Sequence, residues 1–185
     1  MHGIIHLELK RFLETRLGSV VWLKLLEQAG VSTTLPYVHL GPYPDEELGA
    51  IVAAAARATA TSVEAVLEDF GEFIAPSLIA TYRRLIRPEW RTLDVLANTE
   101  QTIHEVVRLR NPGARPPLLR CARPTPDEVI ITYSSLRRLC TLARGIIKGI
   151  AGHYGERVEI TEATCMHRGA AACILSVRGR GRLNC

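Results

Sequence analysis

Asn111-Pro112-Gly113-Ala114-Arg115-Pro116-Pro117-Leu118-Leu119-Arg120-Cys121-Ala122 is the stretch at which this chain changes character. Asn111-Pro112-Gly113 stops a helix, and Pro116 and Pro117 keep the backbone from resuming it. Residues 118–122 then open the first of four short, branched runs bounded by Pro, Gly or charge; the others are 129–133, 158–163 and 172–177. Such runs read as strands, here as two hairpins making a four-stranded antiparallel sheet. Between the hairpins a helix is expected from about Ser135 to Tyr154, with Leu139, Leu142, Ile146, Ile147 and Ile150 on one face.

Upstream of Asn111 the periodicity is helical throughout. One helix runs through Ile5, Leu9 and Leu13 to Gly18, and a second from Ser19 to Gly30; a proline-rich loop spans residues 31–44. Asp45 opens an alanine-rich helix to about Ala60. Thr61 and Glu64 have capping-box spacing for the next one, which Pro76 is expected to kink or interrupt and Pro88 to end. Thr92 caps a helix over about residues 93–109, with Leu96, Ile103 and Val107 as apolar contacts and His104 beside them. The fold class is therefore α+β: a helical N-terminal subdomain followed by a C-terminal antiparallel sheet with helices.

At 185 residues, 47% of them apolar, the chain fits one domain that can bury a core. Aromatic residues make up only 5%, too few for a surface that binds single-stranded nucleic acid by stacking. No run approaches the roughly 18 apolar residues of a membrane span. The opening residues carry no basic segment of the signal-peptide kind, so a cytoplasmic location is expected. The net charge of +4 owes much to Arg178, Arg180 and Arg182; residues 179–185 are expected to be a basic, disordered tail.

Two groups of residues could carry chemistry. Strand alternation puts Tyr133, Ser135 and Arg137 on one side, a phenol, a hydroxyl and a guanidinium suited to a carboxylate or phosphate. The bland alternative is a Ser135 helix cap with Arg137 in solvent. His104, alone on its helix, is by periodicity either a packed histidine or a ligand. The second group comes from the five cysteines, Cys121, Cys140, Cys165, Cys173 and Cys185, an odd number in a chain with no secretion signal, which argues against disulfides. Cys165 and Cys173 lie eight apart with His167 between them, which suggests metal or thiol chemistry. His2, His6, His39 and His153 are read as surface residues.

Taken together, these pieces resemble the haem-nitric oxide/oxygen binding (H-NOX, or HNOB) family, related to the haem domain of soluble guanylate cyclase. The opening Met1-His2-Gly3-Ile4-Ile5-His6-Leu7, the spacing of 29 residues from His104 to the Tyr133-Ser134-Ser135-Leu136-Arg137 motif, and Pro117, 13 residues after His104, carry the resemblance over about residues 1–178 as one domain. It implies a haem b whose iron is bound by His104. Its propionates would be held by Tyr133, Ser135 and Arg137, and the ring pressed by Pro117. The distal residues would be Ile5, Leu9, Ile74, Leu78, Leu142 and Ile146, all aliphatic. Oxygen-binding members carry a tyrosine where this chain has Leu142, so the resemblance implies a nitric oxide sensor that also takes carbon monoxide.

A subset of the family binds zinc, and its segment is similar to residues 164–173 here. That implies zinc on Cys140, Cys165 and Cys173, with Glu162 or, less directly, His167 as fourth ligand. The sensor is then non-catalytic, and its output lies in a separate effector, by family analogy a histidine kinase or a cyclic-di-GMP enzyme, with no nucleic acid or membrane partner. Two rivals stand beside it: a zinc or thiol redox module acting without haem, and an enzyme with Cys165 as nucleophile and His167 as base, for which no third orienting group is visible.

Overall fold

The computed structural model describes residues 3–32, 37–38, 41, 43–111 and 113–182. The expectations for His2, His39, Pro112 and Cys185 fall outside them.

The N-terminal half is helical, as its periodicity requires. Helices α1 (Gly3–Leu17) and α2 (Ser19–Gln28) meet at Gly18, whose φ of +90° turns the chain in one residue. Helix α3 (Asp45–Thr59) carries three acids in its first turn, where the helix dipole favours them. Helix α4 (Val63–Tyr82) is capped by Ser62, one residue after the threonine expected from sequence: its Oγ accepts from the Ala65 amide at 3.0 Å. Contrary to expectation, Pro76 does not interrupt α4. Proline removes the amide that would bond the Glu72 carbonyl. That carbonyl faces Gly149, where a Cβ would come within 2.6 Å of it, so the orphaned group sits against a neighbouring helix that has left room.

That neighbour is α7 (Cys140–His153), which crosses α4 on small residues. A Cβ on Gly71 would lie 2.7 Å from the Ile146 amide and 2.8 Å from the Gly145 Cα. Helix α7 starts five residues later than its apolar period suggests. Arg138, with φ +50°, is left-handed, and a helix cannot extend back through it.

The C-terminal sheet runs β1 (Leu118–Thr125), β2 (Glu128–Ser134), β3 (Glu156–Thr164) and β4 (Cys173–Arg182), ordered β1-β2-β4-β3 and antiparallel throughout. Its buried face pairs Val129 with Val177, Ile131 with Leu175 and Tyr133 with Cys173. The expected disordered tail is instead part of β4 as far as Arg182: Glu156 pairs with Arg182, and Arg180 bonds Glu159. Opposite charges across the hairpin make a strand of what reads, one residue at a time, as a solvated Arg-Gly run.

Among the described residues two large apolar clusters form the core, one among α1–α4 and one between the sheet, α5 (Thr92–Thr99) and α7, with a smaller third around Tyr133 and Cys173. Ile146 packs against both large clusters. His6, read from sequence as a surface residue, is fully buried, with its ring 4.9 Å from Tyr37 and 5.1 Å from Tyr43. Its place in the period beside Leu9 and Leu13 turns it inward. Burial lowers its pKa to about 4. His153 is exposed, as expected. Among the described residues no single helix is long and apolar enough to cross a membrane.

Candidate functional site

A cavity of about 230 Å³ opens between the two large clusters. On the side of α1, α4 and α7 its wall is mostly aliphatic, with Ile5, Leu78, Leu142 and Ile146 lining it, and Tyr82 at the end of α4 lines it as well. Leu9 and Ile74, expected from the resemblance to face the same space, do not line it. Both are fully buried in the helical cluster one layer behind, beside Leu142. Their helical positions point between α1 and α4, where the neighbouring helix takes up their side chains.

His104 lies in the opposite wall. The helix expected over residues 93–109 breaks into α5, a π-helical turn over Glu100–His104, and α6 (Glu105–Arg110). The Glu105 amide bonds the Glu100 carbonyl, five residues back, and such an inserted residue often marks a functional position. The His104 side chain is 16% exposed, and its Nδ1 lies 3.0 Å from Glu100 Oε2. Burial pushes the imidazole below its ordinary pKa, against the pull of Glu100 and of the Pro117 backbone. The ring is therefore neutral at pH 7, the state in which histidine ligates metal. For Glu100 burial acts upward, but Arg108, the Leu119 amide and His104 together hold its carboxyl below the usual range. A carboxylate accepts only, so Nδ1 carries the proton and Nε2 is the nitrogen with a free lone pair.

Tyr133, Ser135 and Arg137 meet at one edge of the same cavity, and Pro116 and Pro117 line it next to His104. Tyr133 closes the end of β2; burial pushes its phenol up to about 12. Ser135 accepts from the Arg137 amide at 3.3 Å, the cap-like bond of the bland reading, yet its side chain also faces the cavity. The Arg137 guanidinium is only 16% exposed and bonds Asp45 at 3.2 Å and the Arg115 carbonyl. It is thus held in place by α3 and by the segment before β1, and not left in solvent.

A second centre lies behind Tyr133. Cys140 at the start of α7, Cys165 after β3, Cys173 at the start of β4 and Glu162 on β3 bring their ligand atoms within 4.8 Å of one another. The Cys140 and Cys165 sulfurs are 4.0 Å apart, and the Met166 amide bonds Cys173 Sγ at 3.2 Å. All three cysteines are buried. Burial, then Cys173 and Cys165 beside it, pushes the Cys140 thiol up to about 12, and burial also raises Cys173. A cation bound among these sulfurs would draw off thiol protons. His167 is not in the group: its Nε2 bonds the Arg138 carbonyl at 2.7 Å on the exposed side. Glu162 is also reached by Arg168, at 3.3 Å. Cys121 stands apart, bonding the Leu96 carbonyl.

The sequence reading missed Glu100. Its position four residues before His104, a spacing that brings side chains together on a helix, was the available signal.

Comparison with known proteins agrees with this geometry. The family model described as Haem-NO-binding matches residues 2–162. An H-NOX protein from Shewanella oneidensis, solved in the Fe(II)NO ligation state, superposes with a TM-score of 0.91 at 27% identity, covering 98% of this chain and 100% of that one. The SO2144 H-NOX domain of the same organism, solved in the Fe(II)CO state, gives 0.85 at 28% identity over 97% and 99%. An Fe(II) unliganded H-NOX protein from K. algicida shares the fold, with a TM-score of 0.88 at 21% identity over the whole of both chains. No curated protein matches the chain.

Proposed function

Because the chain belongs to the haem-NO-binding family, we propose that it is a haem-based sensor that takes nitric oxide, and also carbon monoxide, on ferrous iron held by His104. The observation that carries this reading is one buried imidazole in a cavity lined mainly by aliphatic side chains, with Ile5, Leu78, Leu142 and Ile146 across from it. An iron porphyrin needs such a pocket, apolar around the ring and polar only at the ligand and at the propionates. Tyr133, Ser135 and Arg137 supply the second polar set, and each charge-assisted bond they make to a propionate contributes roughly 1.5–3 kcal/mol. Pro116 and Pro117 form a stiff wall beside His104.

Bound haem would supply an iron that takes diatomic gases and passes the effect to the residue that holds it. The chain's own residues do the rest. Ile5, Leu78, Leu142 and Ile146 offer no hydrogen-bond donor to a bound gas, which disfavours oxygen and leaves nitric oxide. With haem bound, His104 would be the residue through which gas binding reaches the protein: a weakened hold on the iron would let the π-helical turn that carries it relax beside the stiff Pro117 wall, and α1 and α4 would shift against the sheet. A ligand that biases two arrangements in this way is a signalling device. The output is carried to a separate effector protein, a histidine kinase or a cyclic-di-GMP enzyme, in the cytoplasm.

The cysteine cluster supports a second bound group. Three thiolates and one oxygen donor suit a tetrahedral structural zinc, and the placement of Glu162 among them, with His167 turned away, favours Glu162 as the fourth ligand. Oxidation of these thiols would release the metal, the redox-sensing alternative to the haem reading.

Haem content and metal content of the freshly purified protein test both assignments. About one haem and one zinc per chain are expected. A chain that holds zinc and no haem would instead be the redox module.

A further inference from the structure

Among the described residues Glu100 is the carboxylate that bonds His104, and its own hydrogen bonds hold it in place. Its Oε2 is 3.0 Å from His104 Nδ1 and also accepts from the Leu119 amide at 3.0 Å. Its Oε1 accepts from Arg108. Glu100 is 15% exposed and Arg108 35%. The three donors come from the π-helical turn, from β1 and from α6, so the carboxylate cannot swing away without losing all three.

Resting on the haem reading above, we propose that Glu100 is the positioning residue for His104: it fixes the ring's orientation and tautomer, and sets the strength of the bond His104 makes to iron. Three physical consequences follow from the contacts. An ionised carboxylate accepts the Nδ1 proton and leaves Nε2 as the ligating nitrogen. It also feeds charge into the ring, raising the basicity of Nε2, as second-shell carboxylates do for metal-bound histidines. Arg108 and the Leu119 amide draw on the same carboxylate, so this charge is held below what a lone glutamate would deliver. Because Leu119 follows Pro117 by two residues, the same group also ties the His104 turn to the strand that begins at the proline wall. Glu100 thereby sets how readily His104 is released when gas binds, and Arg108 opposes it.

The experiment uses the ferrous, haem-loaded protein and reads the iron–histidine stretching band by resonance Raman spectroscopy, together with the haem midpoint potential. Glu100→Gln keeps the shape and removes the charge. It should move the band to lower wavenumber, make the potential more positive and weaken haem retention by roughly ten- to a hundredfold. Glu100→Asp should restore part of each change. Arg108→Gln should move the band and the potential the opposite way, a pair of opposed shifts that loss of packing does not produce. A wild-type band that stays unmoved in both Glu100→Gln and Arg108→Gln overturns the role of Glu100 while leaving His104 as ligand. Absence of any iron–histidine band in the wild type overturns the haem reading, and this assignment with it.

Discussion

Tyr133 and Cys173 are direct cross-strand partners in the β2–β4 pairing, and both are buried. One residue lines the cavity and the other belongs to the cysteine cluster, so the two centres share a single rung of the sheet. Tyr133, Cys140, Cys165 and Cys173 indeed form one packed group.

Metal removal is therefore expected to reach the cavity. A structural metal present at a hundred to a thousand times its Kd stabilises by roughly 2.7–4.1 kcal/mol, which for a chain of this size corresponds to about 5–16 °C in Tm. Chelation, or Cys173→Ser, should lower Tm within that range and speed haem loss. Metal analysis of Glu162→Ala beside His167→Ala identifies the fourth ligand. Zinc should be lost or weakened in Glu162→Ala and kept in His167→Ala, and the reverse result would reassign it.

Ligand choice is expected to hinge on Leu142, which lines the cavity and is only 6% exposed. Leu142→Tyr brings a hydroxyl into a low-dielectric pocket, where one donor stabilises a polar bound gas strongly. Ferrous wild type in air should give no lasting oxygen complex and the variant should give one, followed by absorption over time. A long-lived oxygen complex in the wild type would mean that a donor already faces the iron.

Much of this was legible beforehand, and the exceptions are specific. Apolar period and the change of residue type at Asn111 placed the helices and strands, because burial dictates both patterns. The spacing from His104 to Tyr133 and Arg137 pointed to residues that do line one cavity. The π-helical turn at Glu100–His104 was not legible, since no local residue preference distinguishes it from α-helix. Arg138, left-handed without being glycine, hid the true start of α7. Leu9 and Ile74 are apolar on the expected face, but whether such a side chain touches a cavity or lies one layer behind depends on the crossing of α1 and α4. The ordered end of β4 depends on Glu159 and Glu156, some 20 residues away in sequence.

The α4–α7 crossing should tolerate no side chain. A Cβ on Gly71 would stand within 2.8 Å of the Gly145 Cα, and both glycines sit against backbone that cannot step aside. Gly145→Ala should cost about 1–3 kcal/mol, seen as a Tm lower by about 2–12 °C. It should also alter the cavity, because Leu142 and Ile146 flank Gly145 on α7. An unchanged Tm would show that the helices part freely.

Stability should fall as the solution is made acidic, through His6. Its pKa is lowered to about 4 in the fold, chiefly by burial, with Asp45 opposing and Glu47 3.9 Å away, against about 6.5 in an unfolded chain. A depressed pKa means that the unfolded state binds the proton first. The contribution of the neutral ring is complete above pH 6.5 and is lost progressively down to about pH 4. Thermal unfolding between pH 7.5 and 4.5 should show a steeper decline in wild type than in His6→Phe, and parallel declines would remove His6 as the cause.

The central claim, that His104 is the iron ligand through which nitric oxide acts, is tested most directly by one absorption titration. Reduced protein as purified, beside His104→Gly, is titrated with nitric oxide while the Soret band is followed. The wild type should show a Soret band as isolated, and nitric oxide should shift it to the form that lacks a histidine ligand. His104→Gly should retain haem only when imidazole is supplied. A wild type without a Soret band, or a His104→Gly variant whose haem content and spectra match the wild type with no imidazole added, would contradict the account.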